Sequence, residues 1–268
     1  KFLANGIKIR GQLYPIVKME WVKGESLDTY IEKHLGDSKA LLELAQRWVR
    51  MITALEHASI AHGDLQHGNV LVVDGDFKLI DYDGMFVPAL AGQKSHETGH
   101  RNYQHPQRTA SDYGSHLDHF SAWVIYVALA ALSAEPKLRT RVGTGDEFLL
   151  FREDDFRQPY ASSTLDYLTQ QADPNLQILT TEFQSLLYLP LEQIPPLQGY
   201  IPASSSQSAQ GVVSSADWIK DYIQHQEARA TSNSMGTNDQ PAASITADSS
   251  AWVLDFIEPN DPQPLRRF

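Results

Sequence analysis

The strongest constraint on the fold of this chain is a pair of short apolar runs, Val70–Val73 and Phe77–Ile80, separated by Asp74-Gly75-Asp76. An Asp-Gly pair between β-type runs predicts a tight antiparallel hairpin. If the last residue of the first run faces the first residue of the second, Asn69 lies opposite Asp81 at the open end. Directly opposite residues have Cβ atoms roughly 5 Å apart, so we expect an amide oxygen and a carboxylate to converge there.

This predicted pairing is typical of a magnesium site. Mg²⁺ is commonly held by one or two protein oxygens while substrate phosphates supply the rest, and Asn69 and Asp81 provide such oxygens. Asp64 lies just upstream, on the loop that enters the hairpin, where a carboxylate can accept a proton from an attacking hydroxyl. Taken singly, the three residues also suit ordinary turns and caps, because Asp and Asn favour such places. Their joint spacing favours a functional site.

Two segments carry a resemblance, His62-Gly63-Asp64-Leu65-Gln66-His67-Gly68-Asn69 and, after the hairpin, Lys78-Leu79-Ile80-Asp81-Tyr82-Asp83-Gly84. They resemble the catalytic loop and metal-binding segment of the protein-kinase-like superfamily, in particular a divergent bacterial Ser/Thr protein kinase. The resemblance implies that Asp64 orients and deprotonates the acceptor hydroxyl. It also implies that Asn69 and Asp81 hold Mg²⁺ on the phosphates of ATP.

The run IVKMEWVKGESL, which starts at residue 16, resembles the last N-lobe strand and the hinge of a kinase. By that resemblance, Met19 borders the adenine pocket, the main chain of Glu20 and Val22 holds the adenine edge, and Glu25 reaches the ribose. An alternative interpretation is a β-hairpin that leads into a helix, with Met19 and Trp21 in the core.

The expected architecture is α+β, a kinase-like fold made mainly of the helical C-lobe with small β-hairpins. The residues before Ile7 do not contain the glycine-rich loop, strand lysine and helix glutamate of a kinase N-lobe, so the resemblance implies a truncated N-lobe. We expect the chain as given to be inactive without the rest of that lobe. The expected domains are a remnant of the N-lobe and hinge over 1–25, a C-lobe over 26–200, and a flexible Ser-, Ala- and Gln-rich tail or linker over 201–268.

Capping residues and apolar periodicity predict the regular elements. The predicted strands are Ile7–Arg10 and Leu13–Val22, around a turn at Gly11-Gln12. The predicted helices are Ser26 to about Leu35, Asp37 or Ser38 to about His57, Leu117–Leu132, Thr164–Ala172 and Asn175–Tyr188, with Leu149–Phe156 as a connecting loop. Asp118 can cap the third helix, and by resemblance it holds the backbone of the catalytic loop.

Three departures from the commonest protein-kinase pattern bear on function. Gly63 replaces the arginine that docks a phosphorylated activation segment, so we do not expect activation by phosphorylation of that segment. Gln66 stands where protein kinases place a lysine, as in aminoglycoside and choline kinases. Asp83 replaces a glycine, and either adds a metal-side carboxylate or stiffens the motif. These departures keep open two alternatives, a small-molecule kinase and a pseudokinase that serves as a binding scaffold.

The segment from Met85 to His105 is loop-like, as expected of an activation or substrate-binding segment. Its end resembles that of a protein-kinase activation segment, in which Tyr103 precedes Pro106 by three residues, although Gln107 replaces the usual Glu. This end favours a protein substrate with Ser or Thr acceptors. Within the catalytic loop, we expect His62 to pack beneath the loop and His67 to be a polar loop residue.

Composition limits the classes of partner that we expect this chain to bind. The chain has 268 residues and a formal net charge of −11, which argues against nucleic-acid binding. It has no cysteine, and its longest apolar segment, Leu117–Leu132, is too short and interrupted to predict a membrane span. We therefore expect a cytoplasmic protein with no membrane contact, whose tail leads to an additional domain.

Overall fold

The computed structural model describes residues 1–143 and 147–197, so the predicted tail over 201–268 lies outside the described residues. The strands are β1 (Phe2–Ile9), β2 (Gln12–Val17), β3 (Glu25–Ser26), β4 (Val70–Val73) and β5 (Asp76–Leu79). The α-helices are α1 (Leu27–His34), α2 (Ser38–His57), α3 (His119–Ala134), α4 (Leu138–Val142), α5 (Glu153–Arg157), α6 (Ser163–Thr169) and α7 (Pro174–Leu186). Backbone contacts divide the described chain into two units, Lys1–Val22 and the part that begins at Lys23.

The Lys1–Val22 unit is an antiparallel hairpin of β1 and β2. Ile9 pairs with Gln12, and the turn residues are Arg10 and Gly11, with φ angles of 49° and 88°. Two consecutive residues at positive φ are typical of the type I′ turn, whose twist suits a hairpin. The predicted turn at Gly11-Gln12 is therefore one residue too late.

The segment after β2 is not part of the core. Met19 is 61% exposed and Trp21 is 86% exposed, so the interpretation that places these two side chains in the core is wrong. The second predicted strand also extends too far, because β2 ends at Val17.

The second unit contains a three-stranded antiparallel sheet in the order β3, β4, β5. The predicted hairpin between β4 and β5 exists, but its register is shifted by one residue: Val72 pairs with Phe77, and Val73 pairs with Asp76. The turn consists of Asp74 and Gly75 alone, at φ angles of 51° and 80°. Asp76, which was expected in the turn, is the first residue of β5.

This shift changes the open end of the hairpin. The main-chain N–H of Ile80 donates to the carbonyl oxygen of Asn69 at 3.0 Å, so Asn69 faces Ile80 and not Asp81. The predicted pairing of Asn69 with Asp81 is therefore wrong by one residue. Asp81 follows directly, with a left-handed φ of 65° that marks a sharp change of chain direction after the strand.

Both helices predicted ahead of the catalytic loop are confirmed. The side chain of Asp37 accepts a hydrogen bond from the N–H of Ala40 at 3.0 Å and so caps α2. One face of α2 is buried, with Trp48 fully enclosed. The indole N–H of Trp48 donates to the carbonyl oxygen of Ala122 at 2.9 Å and joins α2 to α3.

Helix α3 is the centre of the fold and is apolar on all sides. Within the segment Ser115–Ala134, an 18-residue window has a mean hydropathy of 1.4, and by length and composition the segment could cross a membrane, so the expectation that it is too short is wrong. However, 89% of its most apolar window is buried inside this protein. A helix that is apolar all round and enclosed is typical of the core of a large domain.

Helices α5 and α7 pack on α3 through aromatic side chains. The rings of Phe120 and Phe156 meet edge-on at 5.1 Å, and those of Phe120 and Phe183 stack at 5.7 Å. The predicted helices in this region are present as α6 and α7, although both end earlier than expected. The predicted loop Leu149–Phe156 instead contains the start of α5, and α4 was not predicted.

Candidate active site

The catalytic loop is held from below by a buried carboxylate. Asp118 ends a 3₁₀ turn before α3, is 5% exposed, and accepts hydrogen bonds from the main-chain N–H groups of His62 and Gly63. Burial raises the pKa of the Asp118 carboxyl, while these hydrogen bonds act in the opposite direction. The predicted hold on the loop backbone is confirmed. The predicted cap is not, because the Asp118 side chain makes no capping bond to α3.

Gly63 has a conformation and a surrounding that only glycine fits. Its φ is +82°, and a Cβ there would overlap the carbonyl oxygen of Gly84. The segments that contain Gly63 and Gly84 are joined two residues away by an isolated antiparallel bridge. In it, Ala61 and Phe86 exchange main-chain hydrogen bonds of 3.0 and 2.7 Å. The arginine that most protein kinases have at this position cannot fit here, because the backbone at 84 occupies the space of any side chain at 63.

Asp64 is surrounded by donors. Its Oδ2 accepts from the side-chain amide of Asn69 at 2.9 Å and from that of Gln66 at 3.4 Å. Its Oδ1 accepts from the main-chain N–H of His100 at 2.6 Å. The structure thus brings Asn69 close to Asp64, as the sequence predicts, and adds a contact from Gln66 that was not predicted. His100 was missed, because a main-chain donor leaves no mark in the sequence.

The approach of His100 depends on the preceding glycine. Gly99 has a φ of +74°, and a Cβ there would lie 3.0 Å from Asp64 Oδ1 and 2.5 Å from Gln104 Nε2. The chain at 99–100 therefore passes directly over the carboxylate of Asp64, where a side chain at position 99 would collide.

A second hydrogen bond fixes the same segment to the loop. His67 Nδ1 lies 2.5 Å from the hydroxyl oxygen of Tyr103, and Tyr103 is 1% exposed. Burial raises the pKa of the Tyr103 hydroxyl well above its usual range. The expectation that His67 is an ordinary polar loop residue is wrong, because it is 5% exposed and tied to this tyrosine. His62 is fully buried beneath the loop, as predicted.

The predicted magnesium ligands carry the right chemistry. The side-chain N–H groups of Asn69 are directed to the main-chain oxygen and carboxylate of Asp64, which leaves its amide oxygen for a cation. Asp81 is exposed just past β5. Among residues 1–143 and 147–197, no three His, Cys, Asp or Glu side chains cluster as a metal site. A cation held by Asn69 and Asp81 would therefore need phosphate oxygens to complete its coordination, as Mg²⁺ on a nucleotide has.

The predicted nucleotide contacts remain predictions. Met19, Glu20 and Val22 belong to the Lys1–Val22 unit and follow β2. Glu25 belongs to the second unit, where it pairs with Val72 in the sheet. Its carboxylate Oε1 forms an ion pair with Lys33 at 2.6 Å.

A family model described as "Protein kinase domain" matches residues 9–187, which is more than half of the chain. The matched range includes the catalytic loop, the β4–β5 hairpin, Asp81 and Asp118. A search of curated proteins found no match.

Proposed function

The chain belongs to the protein kinase domain family, and from this premise we propose that it transfers the γ-phosphoryl group of ATP to Ser or Thr hydroxyls of proteins. Membership of the family supports the broader assignment, a kinase-type phosphotransferase with a protein substrate that uses ATP and a metal. The acceptor type, the metal and the role of each residue are part of the proposal.

Asp64 is the residue proposed to act on the acceptor. Its carboxylate is oriented by N–H donors from Asn69, Gln66 and His100, so its position does not depend on substrate. A carboxylate held in this way can align an acceptor hydroxyl and receive its proton as the oxygen attacks the γ-phosphorus. Asn69 would then serve both this carboxylate and the cation.

Asn69 and Asp81 are the residues proposed to hold Mg²⁺. When bound, the cation would neutralise charge on the phosphates of ATP. Asn69 is fixed at the start of β4 by its bond with the N–H of Ile80, and Asp81 directly follows that residue. In this proposal the two ligands come from opposite strands of the hairpin.

One observation favours a protein acceptor over a small molecule. The end of the segment Met85–Gln107 is fastened to the catalytic loop by the bond from His100 to Asp64 and by the bond between Tyr103 and His67. A segment fastened beside the catalytic carboxylate can serve as a platform for an extended polypeptide. A small-molecule kinase would more often close a compact pocket there.

A phosphotransfer screen tests the proposal. Full-length protein is incubated with radiolabelled ATP and with three acceptor classes: proteins, including itself, aminoglycosides, and choline-like amines. We expect label on Ser and Thr of protein, and we expect replacement of 85–105 by a Gly/Ser linker to abolish it while ATP binding persists. Label on small molecules alone would support a small-molecule kinase. Binding of ATP that is independent of Mg²⁺, without transfer to any acceptor, would support a pseudokinase.

A further inference from the structure

Arg108 is a buried guanidinium without a full set of partners. It is 9% exposed, and only its Nη1 is bonded, to the side-chain oxygen of Gln104. Its Nε and Nη2, and Nε2 of Gln104, have no hydrogen-bond partner within the described part of the chain. Buried polar groups are nearly always hydrogen-bonded, so three unpaired donors on two neighbouring side chains call for an explanation.

The nearby carboxylates do not satisfy these donors. Asp118, Asp64 and Asp112 oppose the lowering of the Arg108 pKa that burial causes. None of the three, however, accepts a hydrogen bond from Nε or Nη2 of Arg108. Asp118 and Asp64 accept from the loops described above, and Asp112 accepts from the main chain and hydroxyl of Thr109.

Arg108 and Gln104 line a cavity of about 230 Å³. Two further arginines line it, Arg101 and Arg157, whose side chains are 69% and 57% exposed. Glu153 is the carboxylate in the lining, and it is shared between Arg101 at 3.7 Å and Arg157 at 2.5 Å. The lining thus contains three guanidinium groups and one carboxylate, while Asp118, Asp64 and Asp112 act on Arg108 from outside the lining. This lining is basic in a chain whose net charge is −11.

The cavity also adjoins the catalytic carboxylate. Gly99 lines it, and the position of a Cβ on Gly99 is 3.0 Å from Asp64 Oδ1. A group bound in the cavity would therefore lie on the acceptor side of Asp64, separated from it by the backbone at position 99.

We propose that this cavity binds an anionic side chain, a carboxylate or a phosphate, of the polypeptide substrate, close in sequence to the acceptor hydroxyl. The inference rests on the proposed function, since it specifies which Ser and Thr residues are chosen. Arg108 and Gln104 supply buried donors, and the guanidinium groups of Arg101 and Arg157 supply charge at the rim. The site selects acidic or previously phosphorylated sequences.

Equilibrium binding without ATP tests the site directly. The probes are three fluorescent peptides that differ at a single residue next to an alanine in place of the acceptor: phosphoserine, glutamate or glutamine. We expect the full-length protein to bind the phosphoserine and glutamate peptides about tenfold more tightly than the glutamine peptide, as charged hydrogen bonds imply. The preference should weaken as salt is raised. Equal affinity for all three peptides would overturn the proposal.

Variants of the lining residues test whether the preference for charged peptides arises in this cavity. Arg101→Gln and Arg157→Gln change exposed residues, so they should fold normally and reduce the preference for the charged peptides. Arg108→Met should abolish it. Arg141→Gln is the matched control, because Arg141 is exposed, lies against the Tyr167 ring at 4.1 Å and does not line the cavity. Loss of the preference in Arg141→Gln, or its retention in both exposed variants, would contradict the site.

Phosphotransfer to a degenerate peptide library separates this inference from the proposed function. Transfer that favours acidic residues near the acceptor, and loses that bias in Arg157→Gln but not in Arg141→Gln, supports both proposals. Transfer without any acidic preference overturns the anion site and leaves the kinase proposal standing. Selective binding of the charged peptides without transfer supports the anion site and counts against the kinase proposal.

Discussion

The side-chain amide of Asn69 donates to the carboxylate of Asp64 across 2.9 Å. This bond joins the residue proposed to hold the metal to the residue proposed to take the proton. The same amide also donates to the main-chain oxygen of Asp64 at 3.0 Å, so two hydrogen bonds hold the two residues together. The acceptor side and the phosphate side of the site therefore share one rigid loop.

Asp64→Asn should remove phosphoryl transfer and spare nucleotide binding. An amide keeps the shape of the side chain but cannot take a proton, and loss of a general base costs roughly a hundredfold to ten-thousandfold in rate. Single-turnover transfer and ATP binding are measured in parallel on the full-length protein. Asp154→Asn, an exposed residue of α5, is the control. Undiminished transfer by Asp64→Asn would exclude this role.

Asp81→Asn should weaken ATP binding in the presence of Mg²⁺ and leave metal-free binding unchanged, because a neutral oxygen is a poorer ligand for a hard cation. Asparagine tolerates the left-handed backbone at this position, so the fold should be kept. Titration of ATP with and without Mg²⁺ measures the effect.

Asp83→Asn in the same titration decides between the two interpretations of Asp83. Reduced binding that depends on Mg²⁺ would indicate a metal-side carboxylate, and unchanged binding would indicate a residue that only stiffens the motif. If Asp81→Asn and wild type respond equally to Mg²⁺, Asp81 is not the metal ligand.

Asp118→Asn should destabilise the protein by about 1.5–3 kcal/mol, the range for hydrogen bonds to charged groups. The change weakens the acceptor of the N–H groups of His62 and Gly63, which are both buried. Urea unfolding followed by tryptophan fluorescence gives the free energy of unfolding. Asp166→Asn, at an exposed position of α6, should change it little. Equal stability of the two variants would show that Asp118 does not hold the loop.

Gly99→Ala should reduce transfer far more than Gly92→Ala. Both glycines have positive φ, +74° and +83°, so both variants strain the backbone alike. The alanine methyl at 99 meets Gln104 Nε2, the carbonyl oxygen of Gly63 and Asp64 Oδ1, whereas nothing lies within 4 Å at 92. The difference between the variants isolates the collision above Asp64. Similar kcat/KM values for the two would mean that the segment can move away at no cost.

Acidification should destabilise the fold through two histidines, His105, which is buried, and His116, which is half-buried. Burial lowers the pKa values of His105 and His116 below their usual 6.5, so the unfolded chain binds more protons than the folded chain near and below that pH. Their contribution is fully present above about pH 6.5 and is lost as the pH falls through the folded-state pKa values. Between about pH 7 and pH 5, His105→Gln should show a shallower loss of stability than wild type. Parallel curves for the two proteins would contradict this assignment.

The sequence predicts most of the scaffold because its signals are local. Asp37 marks the start of α2, and the apolar stripe of that helix marks its buried face, so its start and its orientation follow from residue types. The β4–β5 hairpin is predicted for the same reason. Its register is not, because the choice between a two-residue and a three-residue turn at Asp74 depends on small differences in backbone energy. Because the structure has the two-residue turn, Asn69 faces Ile80 and Asp81 lies one position beyond the predicted pairing.

What the sequence could not predict depends on long-range packing. Arg108 follows a Pro-Gln pair and looks like a solvated residue, yet the fold encloses it. The contact of His100 with Asp64 uses a main-chain N–H that every non-proline residue has. The short helices α4 and α5 have five residues each and too little periodicity to be recognised.

The packing of Gly63 on Gly84 also limits how this sequence can diverge. A side chain at 63 would overlap a carbonyl oxygen of the main chain, which cannot turn aside as a flexible side chain can. Any substitution at 63 is therefore tolerated only after the backbone around 84 has moved, and an arginine there lies more than one mutational step away. Descendants of this sequence should retain Gly63 and acquire control of activity at other positions.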